Sequence, residues 1–98
     1  MPKMRQTDTF AAWIAALRDE QAKARINVRI RRLSLGNPGD VKPVGSGISE
    51  MRIDYGPGYR VYFVQRGADF VVLLCGGAKG TQARDIAAAK ALARDLEA

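Results

Sequence analysis

Residues 50–64, Glu50-Met51-Arg52-Ile53-Asp54-Tyr55-Gly56-Pro57-Gly58-Tyr59-Arg60-Val61-Tyr62-Phe63-Val64, decide the fold. Two segments of alternating character flank Gly56-Pro57-Gly58, which turns a chain sharply and cannot continue a strand, so the stretch reads as an antiparallel β-hairpin. The first strand covers residues 48–55, with Ile48, Glu50, Arg52 and Asp54 alternating against Ser49, Met51, Ile53 and Tyr55. Such alternation is expected of an antiparallel strand with one wet face. Its partner, residues 59–66, puts Val61 and Phe63 on one face and Arg60, Tyr62 and Val64 on the other. A hairpin needs no arginine in order to fold. Arg52, Tyr59 and Arg60 at the strand ends, with Gly76-Gly77-Ala78-Lys79 closing a third segment, therefore suggest an anionic ligand, of which nucleic-acid backbone is the commonest. The blander reading makes Arg52 and Arg60 solvent-facing cross-strand partners of Glu50 and Asp54.

Beyond the hairpin, residues 67–69 turn the chain again, and the continuous apolar run 70–75 reads as a central strand covered on both faces. Thr81 can cap a closing helix over residues 82–96, where Ile86, Ala89, Leu92, Ala93 and Leu96 recur at helical spacing. Upstream, residues 41–44 are a further short strand candidate. Before them, Gly36-Asn37-Pro38-Gly39 ends a helix whose buried stripe is Ala22, Ile26, Ile30 and Leu33 and whose other face is Lys23, Arg25, Arg29, Arg31 and Arg32. A shorter helix, residues 8–18, carries Phe10, Trp13, Ile14 and Leu17 on one stripe and is capped by Asp8 or Thr9. With almost no loop between them, these two helices should form an antiparallel hairpin. The expected architecture is α+β: a helical hairpin packed on three or four antiparallel strands, with a C-terminal helix.

At 98 residues the chain is read as one domain, 1–98. It is 47% hydrophobic and 27% charged, ordinary for a globular protein, but its net charge is +6, which favours polyanionic partners. The charge is uneven. Residues 1–36 hold eight basic against three acidic side chains, and residues 37–98 hold eight against seven. The absence of histidine removes imidazole chemistry and the usual zinc sites, and a single cysteine, Cys75, cannot form an intramolecular disulfide. No run of about 18 apolar residues and no signal-peptide core are present, so a soluble cytoplasmic protein without membrane contact is expected.

Residues 49–63, then Leu73-Leu74-Cys75-Gly76-Gly77-Ala78-Lys79-Gly80-Thr81-Gln82 and Asp85-Ile86-Ala87-Ala88-Ala89, resemble the RelE/ParE superfamily of toxin proteins, and most of all its HigB-like addiction-module killer branch. The resemblance spans nearly the whole chain. It implies the α+β fold just derived. It also implies a toxin of a type II toxin-antitoxin system, which in the RelE-like branch cleaves messenger RNA, typically on the ribosome, and in the ParE-like branch poisons DNA gyrase. Either is silenced by a cognate antitoxin, which in the nearest branch is usually a helix-turn-helix DNA-binding protein. By the same resemblance, Arg60 falls on the arginine used near the scissile phosphate, Arg52 near a basic strand position used for RNA backbone or proton transfer, and Lys79 in a basic post-strand loop. The C-terminal tyrosine that assists some RelE-like enzymes has no match, its place being held by Ile86. Tyr55, Tyr59 or Tyr62 could substitute only by facing the same surface.

The chemistry these residues support is attack of an RNA 2′-hydroxyl on the adjacent phosphorus. Arg60, Arg52 and Lys79 are the candidate catalytic residues, since cations aimed at a phosphorane typically contribute about 10²- to 10³-fold per donor. Glu50, a tyrosinate or a lysine is the candidate base. Tyr59, Tyr55, Arg29 and Arg32 are candidate substrate contacts, as stacking platforms and backbone cations, although such tyrosines are commonly packing residues and such arginines a solvated helix face. An acidic antitoxin segment is the alternative partner of the arginine cluster, and the antitoxin is expected to mask or displace part of the basic sheet edge. No cofactor is expected. No metal site is expected either, because Glu50, Asp54, Asp69 and Asp85 are scattered and lack ligand spacing.

Overall fold

The computed structural model describes residues 2–96; Met1, Glu97 and Ala98, the ends of the expected 1–98 domain, lie outside them. Over these residues the chain forms β1 (Lys3–Gln6), α1 (Asp8–Ala16), α2 (Glu20–Ser34), β2 (Val41–Gly45), β3 (Ile48–Ile53), β4 (Tyr59–Arg66), β5 (Phe70–Ala78), a short 3₁₀ turn (Lys79–Thr81) and α3 (Gln82–Asp95). The strands make one five-stranded sheet in the order β1-β5-β4-β3-β2. The α+β architecture is the one expected, enlarged by a strand. β1 pairs parallel with β5, Lys3 opposite Phe70 through Gln6 opposite Leu73, so the sheet is mixed rather than antiparallel throughout.

Local chemistry sets the helix ends. Thr7 caps α1, its hydroxyl accepting from the Phe10 amide at 3.0 Å while donating to the Leu74 carbonyl at 2.6 Å, which fixes the step from β1 into the helix against β5. Asp19 caps α2 through the amides of Gln21 (3.0 Å) and Ala22 (3.2 Å). At the other end of α2, Gly36 takes φ +87°, and the amides of Gly36 and Asn37 return to the carbonyls of Leu33 and Arg32. This is a Schellman ending, in which the left-handed residue is favoured as glycine because it has no Cβ.

Helices α1 and α2 cover one face of the sheet, where Phe10, Ile26 and Leu33 meet Met51, Val61, Phe63 and Leu73. Helix α3 covers the other face, its low alanine stripe, Ala89 and Ala93, lying over Tyr62, Val64, Leu74 and Cys75. The expectation that β3 keeps one wet face therefore fails. Ile48 and Glu50 are buried under α3, as Met51 and Ile53 are under α2. A β-bulge explains why Leu74 and Cys75 share a face: Tyr62 pairs with Cys75 but Phe63 with Leu73, leaving Leu74 unpaired between them. Among the described residues no helix is long and apolar enough to cross a membrane.

Candidate functional site

At the hairpin end of the sheet, β3 and β4 place Arg52 directly opposite Arg60, and β5 places Gly77 on the other side of Arg60. Two guanidinium groups on neighbouring strands repel unless a counter-charge lies between them. Glu50 supplies it. Its side chain, 1% exposed, accepts from Arg60 Nη1 at Oε1 (3.0 Å) and from the Tyr62 hydroxyl (3.0 Å) and Gln82 Nε2 (2.8 Å) at Oε2. Arg52 Nε stands 3.7 Å from the same carboxylate and 3.8 Å from Asp40. Burial and the neighbouring carboxylate push the Tyr62 phenol far above its ordinary range, so it stays a hydroxyl and a donor.

Arg60 is thus not on the solvent-facing strand position expected for it. Its side chain is 11% exposed against 39% for that of Arg52, because α3 closes over this end of the sheet with Gln82 reaching Glu50. The carboxylate that draws the two arginines together is Glu50, as the cross-strand reading held, but the cluster is an interior one. Among the described residues the buried Nε atoms of both arginines make no hydrogen bond. Lys79 is exposed and sits beside the hairpin turn, its Cβ 3.4 Å from where a side chain at Gly58 would begin. Arg52 and Lys79 are therefore the cations open to a ligand, and Arg60 is fixed behind them.

The remaining candidates are placed elsewhere. Tyr59 packs edge-on against Trp13, ring centroids 6.2 Å apart, on the face covered by α1 and α2. Tyr55 packs against the same core, its hydroxyl in contact with the Asp19 carboxylate (3.1 Å) and Gln21 Oε1 (3.1 Å) and its ring under Arg25 at 4.6 Å. Desolvation and the bond to Asp19 raise its pKa. Neither faces Arg60; Tyr62 does, but it is committed to Glu50. Arg29 clamps the approach to β2, donating to the carbonyls of Arg52 (2.5 Å), Pro38 (3.0 Å) and Asp40 (3.2 Å). Arg32 is exposed on α2. Glu50 is excluded as a base open to substrate, since it is buried and saturated with donors.

A second polar knot secures the start of α3. The Thr81 hydroxyl lies 2.5 Å from Asp85 Oδ2 and 3.2 Å from the Ala78 carbonyl. Asp85 is buried over Gly77, where an added Cβ would lie 1.8 Å from its Oδ2; at Gly76 one would strike the Trp13 ring at 2.3 Å. Gly76-Gly77 is thus strand backbone approached closely from both faces. Cys75 is buried beneath, its thiol pushed up to about 11 by burial and then by Asp85. No group of three or more His, Cys, Asp or Glu side chains able to hold a metal occurs among the described residues.

A sheet wedged between two helices and one, with a carboxylate-locked arginine pair opening at the hairpin end, defines a small basic α+β protein with a cationic strand-end site. The chain belongs to the family described as phage derived protein Gp49-like (DUF891), whose model matches residues 12–96, all of the fold except β1 and the start of α1. It is also 51% identical over 94 residues to an uncharacterized protein of Haemophilus influenzae (strain ATCC 51907 / DSM 11121 / KW20 / Rd), covering 96% of this chain and 95% of that one.

Proposed function

We propose that the protein is the toxin of a type II toxin-antitoxin pair and cleaves messenger RNA on the ribosome by metal-independent attack of a 2′-hydroxyl on the adjacent phosphorus. Support at the level of the family comes from the Gp49-like membership, a toxin-like family related to RelE- and HigB-type toxins. The observation that carries the reading is the half-exposed Arg52 held against the buried Glu50–Arg60 pair, with the exposed Lys79 at the same end of the sheet. In this reading Arg52 and Lys79 meet the non-bridging oxygens of the scissile phosphate, and Arg60 adds fixed positive charge behind them. The 2′-oxygen gives its proton to solvent water and bonds to phosphorus, the bond to the 5′-oxygen breaks, that oxygen takes up a proton from water, and a 2′,3′-cyclic phosphate remains. Preorganised cations act here without reorganising as the phosphorane gathers charge.

One observation favours a second reading, a ParE-like poison of DNA gyrase: Glu50 and Tyr62, the candidate proton acceptors on the Arg60 face, are both occupied by their mutual hydrogen bond. The test is to add the purified protein to translating ribosomes and map 5′ ends on the message. Wild type should cut, Arg52→Ala should cut about 10²- to 10³-fold more slowly, and Lys79→Ala should lose less, because a solvated ammonium is more easily replaced than a fixed guanidinium. Intact messages together with collapsed DNA supercoiling would replace the nuclease reading with the gyrase one.

A further inference from the structure

The arginine-rich face of α2 is not used by the site above. Between α2 and the end of β3 runs a groove of about 450 Å³ whose lining includes Ala24, Val28 and Ile53 together with Arg25, Arg29 and Arg32, against a single carboxylate, Asp54. Val28 is 50% exposed and stands one turn from the exposed Ala24 on the same helix face. Ala24 and Val28, open one turn apart along a helix and bordered by cations at i, i+4 and i+7, are matched by a complementary amphipathic surface that carries carboxylates. RNA is a poor match. No aromatic residue is among those lining the groove, and the ring of Tyr55, next in sequence to the lining Asp54, is already covered by Arg25 at 4.6 Å, so no stacking platform is offered, and the apolar strip gives nothing to a phosphate backbone.

We propose that this groove docks an acidic amphipathic helix of a partner protein, two apolar residues one turn apart seating on Ala24 and Val28 and flanking carboxylates meeting Arg25 and Arg32. The identification of that partner as the antitoxin rests on the toxin-antitoxin reading; the docking chemistry does not. The groove opens on the face of the sheet covered by α1 and α2, whereas the Glu50–Arg60 network lies under α3. A helix bound here therefore leaves Arg60 and Gln82 uncovered, in contrast to the masking of the sheet edge expected from the sequence.

The test uses a synthetic helix-forming peptide with two leucines one turn apart between glutamates, the same peptide with lysines for the glutamates, and a single-stranded oligoribonucleotide. Each is titrated by fluorescence anisotropy into wild type, Val28→Glu and Ala24→Glu, whose folding is checked by circular dichroism; both positions are exposed in a helix and accept glutamate there. The acidic peptide should bind wild type, more weakly as salt rises, and each variant should weaken it at least about tenfold by placing a carboxylate against its own. The lysine peptide should not bind. Failure of the acidic peptide to bind wild type, equal binding to Val28→Glu, or loss of RNA binding but not of peptide binding in that variant would overturn the proposal. Growth inhibition by wild type and Val28→Glu is scored in parallel: absence of toxicity in wild type would defeat the functional reading while leaving the peptide result to decide the groove.

Discussion

Replacing Glu50 with alanine removes the counter-charge at the centre of the site. The carboxylate receives Arg60 Nη1, the Tyr62 hydroxyl and Gln82 Nε2, all within 3.0 Å, and lies in a fully buried position. Its loss leaves a guanidinium with 11% side-chain exposure facing a cavity and a second arginine. Removing one partner of a buried pair costs about 3–5 kcal/mol, chiefly because the other charge is left uncompensated. A domain of this size holds only about 5–15 kcal/mol in all, and about 4–8 °C of melting temperature goes with each kcal/mol. The variant should therefore melt about 12–40 °C lower, followed by far-UV circular dichroism, with urea titration giving the free energy. Taking both charges away in Glu50→Ala/Arg60→Met should recover a large part of the loss, since the penalty resides in the stranded charge. A Glu50→Ala loss below about 1 kcal/mol, or a double variant no more stable than the single one, would show that the cluster is solvated and would refute its description as an interior lock.

Two further perturbations address the neighbouring knot. Gly77→Ala places a Cβ 1.8 Å from Asp85 Oδ2; it should cost about 1–3 kcal/mol by overpacking and speed amide exchange in the first turn of α3, and an unchanged urea midpoint would contradict the close approach. Alkaline pH should destabilise the protein. Cys75 is raised from 9.0 to about 11 and Tyr62 is raised from 10.0, so the folded chain keeps protons that the unfolded chain releases. The Cys75 contribution is complete below about pH 9 and is lost as pH rises through about 11, whereas that of Tyr62 is complete below about pH 10 and is lost only at higher pH still. Urea midpoints across that window should fall, less steeply in Cys75→Ala, and a flat profile would be contrary to the account.

Much of the fold was legible because its signals are local. The Gly-Pro-Gly turn, the parity of Arg60, Tyr62 and Val64 against Val61 and Phe63, and the glycine after α2 each have a short-range physical cause, and each recurs in the structure. β1 was not legible. Lys3-Met4-Arg5-Gln6 has one partly buried apolar residue, and its pairing is with a strand more than sixty residues away. Nor does alternation distinguish a charged face that is wet from one roofed by a helix. The available signal was composition: Glu50, Arg60 and Tyr62 share a face, and the closing helix is rich in alanine, which packs low enough to cover a tyrosine. Gln82 and the tie between Tyr55 and Asp19 depend on how distant elements meet, for which no spacing in the sequence codes.

Cleavage by 2′-hydroxyl attack at the cationic end of the sheet is put to the test with a message carrying one 2′-deoxynucleotide at the mapped cut site, translated on ribosomes with free metal chelated as far as ribosome integrity allows. The unmodified message should be cut to a 2′,3′-cyclic phosphate or 3′-phosphate end, read by mass spectrometry, and the deoxy message should stay whole at that position. Cleavage of the deoxy message, or a product that bears a 5′-phosphate and forms only with Mg²⁺, would contradict attack by the 2′-hydroxyl.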